Sequence, residues 1–129
     1  MASSAEPITQ FLNVDLEVRA AGGLDDLLLA LNPSVSILHQ SAQAALLELA
    51  EDQQSLEDTV RKLVEIVLLL PPHARSIWDR CDRRRFDIGI QAGTEPHETQ
   101  FALPGDIVSL VANVQGDISI TVYAPPRTS

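Results

Sequence analysis

The hydrophobic positions of this chain change period several times, and the order of the changes predicts the elements. In Phe11–Arg19, Leu12, Val14, Leu16 and Val18 alternate with Asn13, Asp15, Glu17 and Arg19, the period of a strand with one buried and one wet face. Gly22 and Gly23 break it. Leu24, Leu27, Leu28 and Leu31 then recur at helical spacing, with Asp25 and Asp26 in the first turn where the helix dipole favours negative charge. Asn32-Pro33 ends that helix, and Val35 to Gln40 and Ala44 to Ala50 form a hairpin turning near Ser41. The second arm is rich in the helix formers Ala, Leu and Glu. Its length, and the polar connection from Glu51 to Ser55, select the strand.

Ser55 and Asp58 resemble a capping box opening a helix that runs to about Leu70. Its apolar stripe is Leu56, Val60, Leu63, Val64, Val67 and Leu70, and Glu57 with Arg61 and Asp58 with Lys62 make favourable i,i+4 pairs opposite. Leu68 and Leu69 fall off the stripe and call for a cover, for which the nearest segment is that beyond Pro71-Pro72. That segment, His73 to about Arg80, predicts a short helix with Ala74, Ile77 and Trp78 on its apolar side. Phe86, Ile88, Ile90 and Ala92 alternate as a strand. Gly93 to Glu98 reads as a loop and Thr99 to Leu103 as a short extended piece. Ile107, Leu110, Val111 and Val114 predict a helix stopping at Gly116, and Ile118, Ile120 and Val122 a final strand.

Strand, helix, hairpin, long helix and strand spell the split βαβ or ferredoxin-like plan, an α+β fold with a mostly antiparallel sheet and helices on one face, followed by an extra αβ unit. The chain of 129 residues, 45% hydrophobic, is the size of one domain, expected to occupy 11–124 between a flexible start at 1–10 and a flexible tail at 125–129. The single cysteine, Cys81, cannot form an internal disulfide, which points to a cytoplasmic setting. The longest aliphatic run, Ile66–Leu70, is too short to cross a bilayer, and the first residues lack the basic start of a signal peptide. If the helices cover the apolar side of the sheet, the other side presents Asn13, Asp15, Glu17, Glu48, Asp87, Asp117 and Ser119. It has no aromatic pair on which RNA bases could stack.

Net charge is −9, from eighteen acids and nine bases. Five of the bases, Arg75, Arg80, Arg83, Arg84 and Arg85, are concentrated between positions 75 and 85, which leaves the remainder strongly acidic. Such a field repels nucleic acid and anionic membranes and favours a cationic partner.

The segments "FLNVDLEVRA", "LPPHARSIWDR", "RRRFDIGIQAG" and "DISITVYAP" together resemble a group of small bacterial proteins carried as a domain of unknown function, in which an "IGI"-type strand precedes a helix and an aliphatic final strand. Similar small acidic domains occur among the immunity proteins of bacterial toxin systems, which act by occluding their toxin. The resemblance implies the α+β fold and a protein partner, and brings no catalytic residues with it.

His39, His73 and His97 lack zinc-ligand spacing, no phosphate-binding glycine loop is present, and no cofactor is expected. Glu95, His97 and Glu98 could bring two carboxylates beside an imidazole, and an exposed polar turn explains them equally well. Cys81 has no histidine base nearby in sequence. Neighbouring arginines would lower its pKa, while a small residue packed at a helix end is the simpler reading. Trp78 reads either as a core plug over Leu68 and Leu69, the preferred assignment, or as an interface anchor.

Three readings follow. The first is a non-enzymatic interaction domain, an immunity-type inhibitor docking a basic protein, such as a toxin, through Asp15, Glu17, Glu48 and Asp87. The alternative is a sensing or regulatory domain that grips an anionic small molecule with Arg80, Arg83, Arg84 and Arg85, since guanidinium pairs bidentately with carboxylate or phosphate; neutralising neighbouring acids is the structural role open to the same arginines. The third, an enzyme built on the Glu95–Glu98 loop or Cys81, lacks the partner groups that catalysis needs. The assembly is expected to be a monomer or a homodimer.

Overall fold

The computed structural model describes residues 8–52 and 55–125. Nine elements follow in the order β1 (Gln10–Arg19), α1 (Leu24–Leu31), β2 (Val35–Gln40), β3 (Ala44–Leu49), α2 (Leu56–Leu68), α3 (Pro72–Asp79), β4 (Arg83–Gln91), α4 (Gly105–Asn113) and β5 (Asp117–Tyr123). The strands form one open mixed sheet in the order β2-β3-β1-β4-β5. All neighbours are antiparallel except β4 and β5, which run parallel.

Strand alternation sorts the sheet into two sides. Val14, Leu16 and Val18 of β1, Ala45, Leu47 and Leu49 of β3, and Phe86, Ile88 and Ile90 of β4 are buried in one cluster with the apolar faces of the helices. Burial of this kind stabilises by about 25 cal/mol per Å² of apolar surface removed from water. The intervening residues of β1, β3 and β4 point away from that cluster and, apart from the buried Gly89, are partly buried or exposed. The predicted stripes of α1 and α2 are those observed, and Ser55 caps α2 by accepting a hydrogen bond from the Asp58 backbone N–H at 3.1 Å. Trp78 is fully buried and donates its indole N–H to the Val114 carbonyl at 2.8 Å, joining α3 to the end of α4.

Several expectations are corrected. Strand β4 starts at Arg83 rather than Phe86, because Arg83 to Arg85 continue the antiparallel register opposite Arg19 to Glu17. Residues 99–103 form no strand. Residues 8–10, expected to be part of a flexible start, are engaged: the Thr9 N–H donates to the Glu95 carbonyl, its hydroxyl accepts from the Gly93 N–H at 2.9 Å, and Gln10 already belongs to β1. The expected floppy ends at 1–7 and 126–129 lie outside the described residues. Lys62 pairs with Glu51 at 3.2 Å instead of Asp58. Nothing covers Leu68 and Leu69 among the described residues; they are 49% and 83% exposed, because the chain turns away at Pro71 and α3 packs on α1 instead.

The turn after α4 also differs. Gln115, not Gly116, takes the left-handed conformation, with φ 63°. Gly116 is required for closeness: a Cβ there would lie 2.6 Å from Phe86 Cε1 and 2.9 Å from Val111 Cγ1.

Candidate functional site: the uncovered sheet face

The residues of β1, β3, β4 and β5 that point away from the core bring together the acidic side chains singled out from the sequence. Asp15 and Asp87 are direct cross-strand partners on β1 and β4, and Glu17 stands opposite Arg85 in the same register. Glu48 reaches Asp15 from β3, close enough for its charge to be felt there. Alternation along β5 adds Asp117, Ser119 and Thr121, in register with Arg85, Asp87 and Gly89.

The face divides into a balanced half and an unbalanced half. Glu17 is balanced: it accepts a hydrogen bond from Arg83 at 3.3 Å and faces Arg85 at 3.9 Å. Asp15, Glu48 and Asp87 have no ion-pair partner among the described residues. Asp87 is held by hydroxyls instead, accepting from Ser119 Oγ at 2.7 Å and from Thr121 Oγ1 at 2.9 and 3.1 Å. Asp15 accepts one hydrogen bond, from Asn13 Nδ2 at 3.1 Å. Burial first, then the charges of Glu48 and Asp87, push the Asp15 carboxyl up to about 6.

Gly89 makes room for this arrangement, since a Cβ on it would meet Asn13 Oδ1 at 2.5 Å. The Asn13 amide therefore lies over β4 and turns its N–H₂ toward Asp15. The sequence pattern groups Asn13 and Ser119 with the acidic face but marks no role for Gly89 or Thr121. Their signal was available in the shared parity of Asp87, Gly89, Ser119 and Thr121 along two strands that pair. Beside this centre, Leu12, Asn13, Ser36, Glu48, Glu51 and Asp52 line a shallow, mainly polar depression.

The arginines do not converge. Arg83 and Arg85 lie on the uncovered face with Glu17, and Arg80 is at the exposed end of α3, bonded to Ser76. Arg84 points to the helix side, where its guanidinium donates to the carbonyls of Gln115 at 2.9 Å, of Trp78 at 3.2 Å and of Cys81. It ties the ends of α3 and α4 together. Cys81 is buried and its thiol donates to the Ile77 carbonyl at 3.3 Å. Burial raises its pKa and outweighs the opposing pull of Arg84, which fits a packed thiol rather than an activated one.

The three histidines are exposed and apart. His39 is on the edge strand β2 and His73 meets Asp26 at 3.2 Å. Glu95, His97 and Glu98 are all solvent-facing, and among the described residues no group of His, Cys, Asp or Glu has the geometry to hold a metal ion. No helix of the described residues is long and apolar enough to cross a membrane. Compared with known proteins, the chain matches no family model, no curated protein and no solved structure.

Proposed function

We propose that the uncovered sheet face is a docking surface for a cationic protein, and that the chain acts as a non-enzymatic interaction domain. One observation carries the reading: Asp15 stands directly opposite Asp87, with Glu48 alongside, and no described base is within ion-pair distance of any of the three. Like charges set opposite each other across strands destabilise a sheet. A partner's Lys or Arg would relieve that cost on binding, and the net charge of −9 would speed the encounter.

The mode we infer is occlusion of a basic partner, as in the toxin-immunity domains that the sequence resembles. The order β2-β3-β1-β4 with antiparallel neighbours supports the ferredoxin-like reading, with α4 and β5 as the added unit. In that plan the helix-free face is the broad surface available to a partner.

A lysine- and arginine-rich peptide titrated into the isotope-labelled chain, followed by NMR, tests the reading. Shifts are expected to concentrate at Asp15, Glu48, Asp87, Ser119 and Thr121, to fade with added salt, and to weaken in the double variant Asp15→Asn/Asp87→Asn. Shifts spread evenly over all acids, or centred on Asp25, Asp26, Glu57 and Asp58 of the helix layer, would refute it.

A further inference from the structure

The two edges of the sheet are unlike. Strand β2 is broken by a register shift between Ile37 and His39, and a bulge of that kind discourages pairing with another chain. Strand β5 has no such device. It runs from Asp117 to Tyr123 in unbroken register along β4, without lysine or proline.

The Tyr123 carbonyl accepts a hydrogen bond from the Ala92 N–H at 2.9 Å, so the backbone groups of Tyr123 face β4. Alternation then turns the N–H and C=O groups of Ile118, Ile120 and Val122 outward, to an edge with which no described strand pairs. Their side chains lie on the helix side, in register with Phe86, Ile88 and Ile90. The β4 residues are buried, whereas Ile118, Ile120 and Val122 are 39%, 64% and 59% exposed. Together with Leu56, Phe101 and Leu103 they line an apolar groove of about 440 Å³.

We propose that this edge pairs with β5 of a second copy of the chain, antiparallel across a two-fold axis through Ile120, to make one continuous ten-stranded sheet. The strand is complementary to itself in that register. Ile120 meets its counterpart, Ile118 meets Val122, Ser119 meets Thr121, and Asp117 meets Tyr123, so apolar faces apolar, polar faces polar, and no two charges oppose. The outward backbone groups of Ile118, Ile120 and Val122 fall opposite one another, enough for about six hydrogen bonds in the narrow-pair geometry.

Charge selects a second copy in the same place. Two chains of net charge −9 repel over most of their surfaces, yet from residue 99 to 126 the only charged residues are Asp106 and Asp117. The pairing joins the charge-poor parts and leaves the carboxylate-bearing faces free. Because the axis is perpendicular to the sheet, both acidic faces point the same way, giving two docking surfaces on one platform.

Sedimentation of the full chain at micromolar concentration and above is expected to give a particle of twice the chain's mass. Ile120→Lys, at an exposed position, is expected to give a monomer with an unchanged circular dichroism spectrum, because two ammonium groups would face each other at the axis. Ile120→Cys tests the register without depending on that variant's folding: Cα atoms of a hydrogen-bonded antiparallel pair are about 5.5 Å apart, within disulfide range, and Cys81 is buried. Mild oxidation should link the Ile120→Cys chains covalently and leave Leu69→Cys chains unlinked. A monomeric wild-type chain, whether the edge is covered by its own termini or left free, would overturn the proposal. So would a dimer undiminished by Ile120→Lys, or cross-linking through position 69 in place of 120.

Discussion

Replacing Asp15 by Asn separates the charge of the acidic centre from its shape. The amide is nearly isosteric with the carboxylate, and its oxygen can still accept the hydrogen bond from Asn13 Nδ2. What disappears is a half-buried negative charge facing Glu48 and Asp87. Its carboxyl is moved from 3.8 to about 6 in the folded protein, which taken in full corresponds to about 3 kcal/mol. Asp15 is only half-buried, so solvent screening reduces the share expected in stability to about 1–2 kcal/mol. The direction follows from linkage. Below about pH 4 the group is protonated in the folded and largely in the unfolded chain, and it contributes no penalty. As pH rises through the window up to about 6, the unfolded chain releases the proton first and wild-type stability falls. Asp15→Asn escapes that fall. In urea or thermal denaturation at pH 7 it is expected to be more stable by about 1–2 kcal/mol, a rise of about 3–10 °C in Tm for a domain of this size. The advantage should vanish below about pH 4. A variant no more stable than wild type at pH 7, or a gap that does not change with pH, would refute the reasoning.

Three further outcomes are expected. Arg84→Met should lower stability by about 1–3 kcal/mol in urea denaturation, because three carbonyls at the ends of α3 and α4 lose their charged donor; an unchanged midpoint would show that solvent replaces those bonds. Gly116→Ala should cost about 1–3 kcal/mol through overpacking, since the new methyl would press on Phe86 and Val111, and a differential scanning measurement checks it. Cys81, buried and with its thiol pKa raised, should react slowly with a thiol reagent in the native chain and fully in denaturant; fast native labelling would contradict the packing described.

The legible parts of the fold were those that depend on local period. Leu24, Leu27, Leu28 and Leu31 of α1, the stripe of α2 and the alternation of Val14, Leu16 and Val18 in β1 report burial directly, since each needs only its own segment to be interpreted; Leu12, expected on the same side, is exposed because the β1 register is irregular between Phe11 and Asn13. The cap by Ser55 was equally local. What could not be read depends on partners distant in sequence. The early start of β4 at Arg83 is set by the facing strand, and three arginines in succession give no apolar alternation to mark it. The same alternation that revealed the acidic face also divides the arginines: Arg83 and Arg85 share one side and Arg84 takes the other, so a cluster in sequence is not a cluster in space. Asp15, Glu17 and Asp87 were placed on one face by parity alone. The finer fact, that Asp15 and Asp87 are opposite each other, requires the register, which passes through an irregularity between Phe11 and Asn13.

That register gives the acidic face its physical character. Had β4 been shifted by two residues along β1, keeping every side chain on its own side, Asp15 would face Arg85 or Gly89 and the like-charge pair would be gone. The helix side would resist such a shift: Phe86 is fixed against Gly116, and Trp78 holds α3 to the end of α4, whose next residues lead into β5. Close packing of the core therefore imposes a juxtaposition that the uncovered face would not adopt by its own electrostatics. Stability comes from the covered side, which leaves the other side free to carry carboxylates that no described base balances.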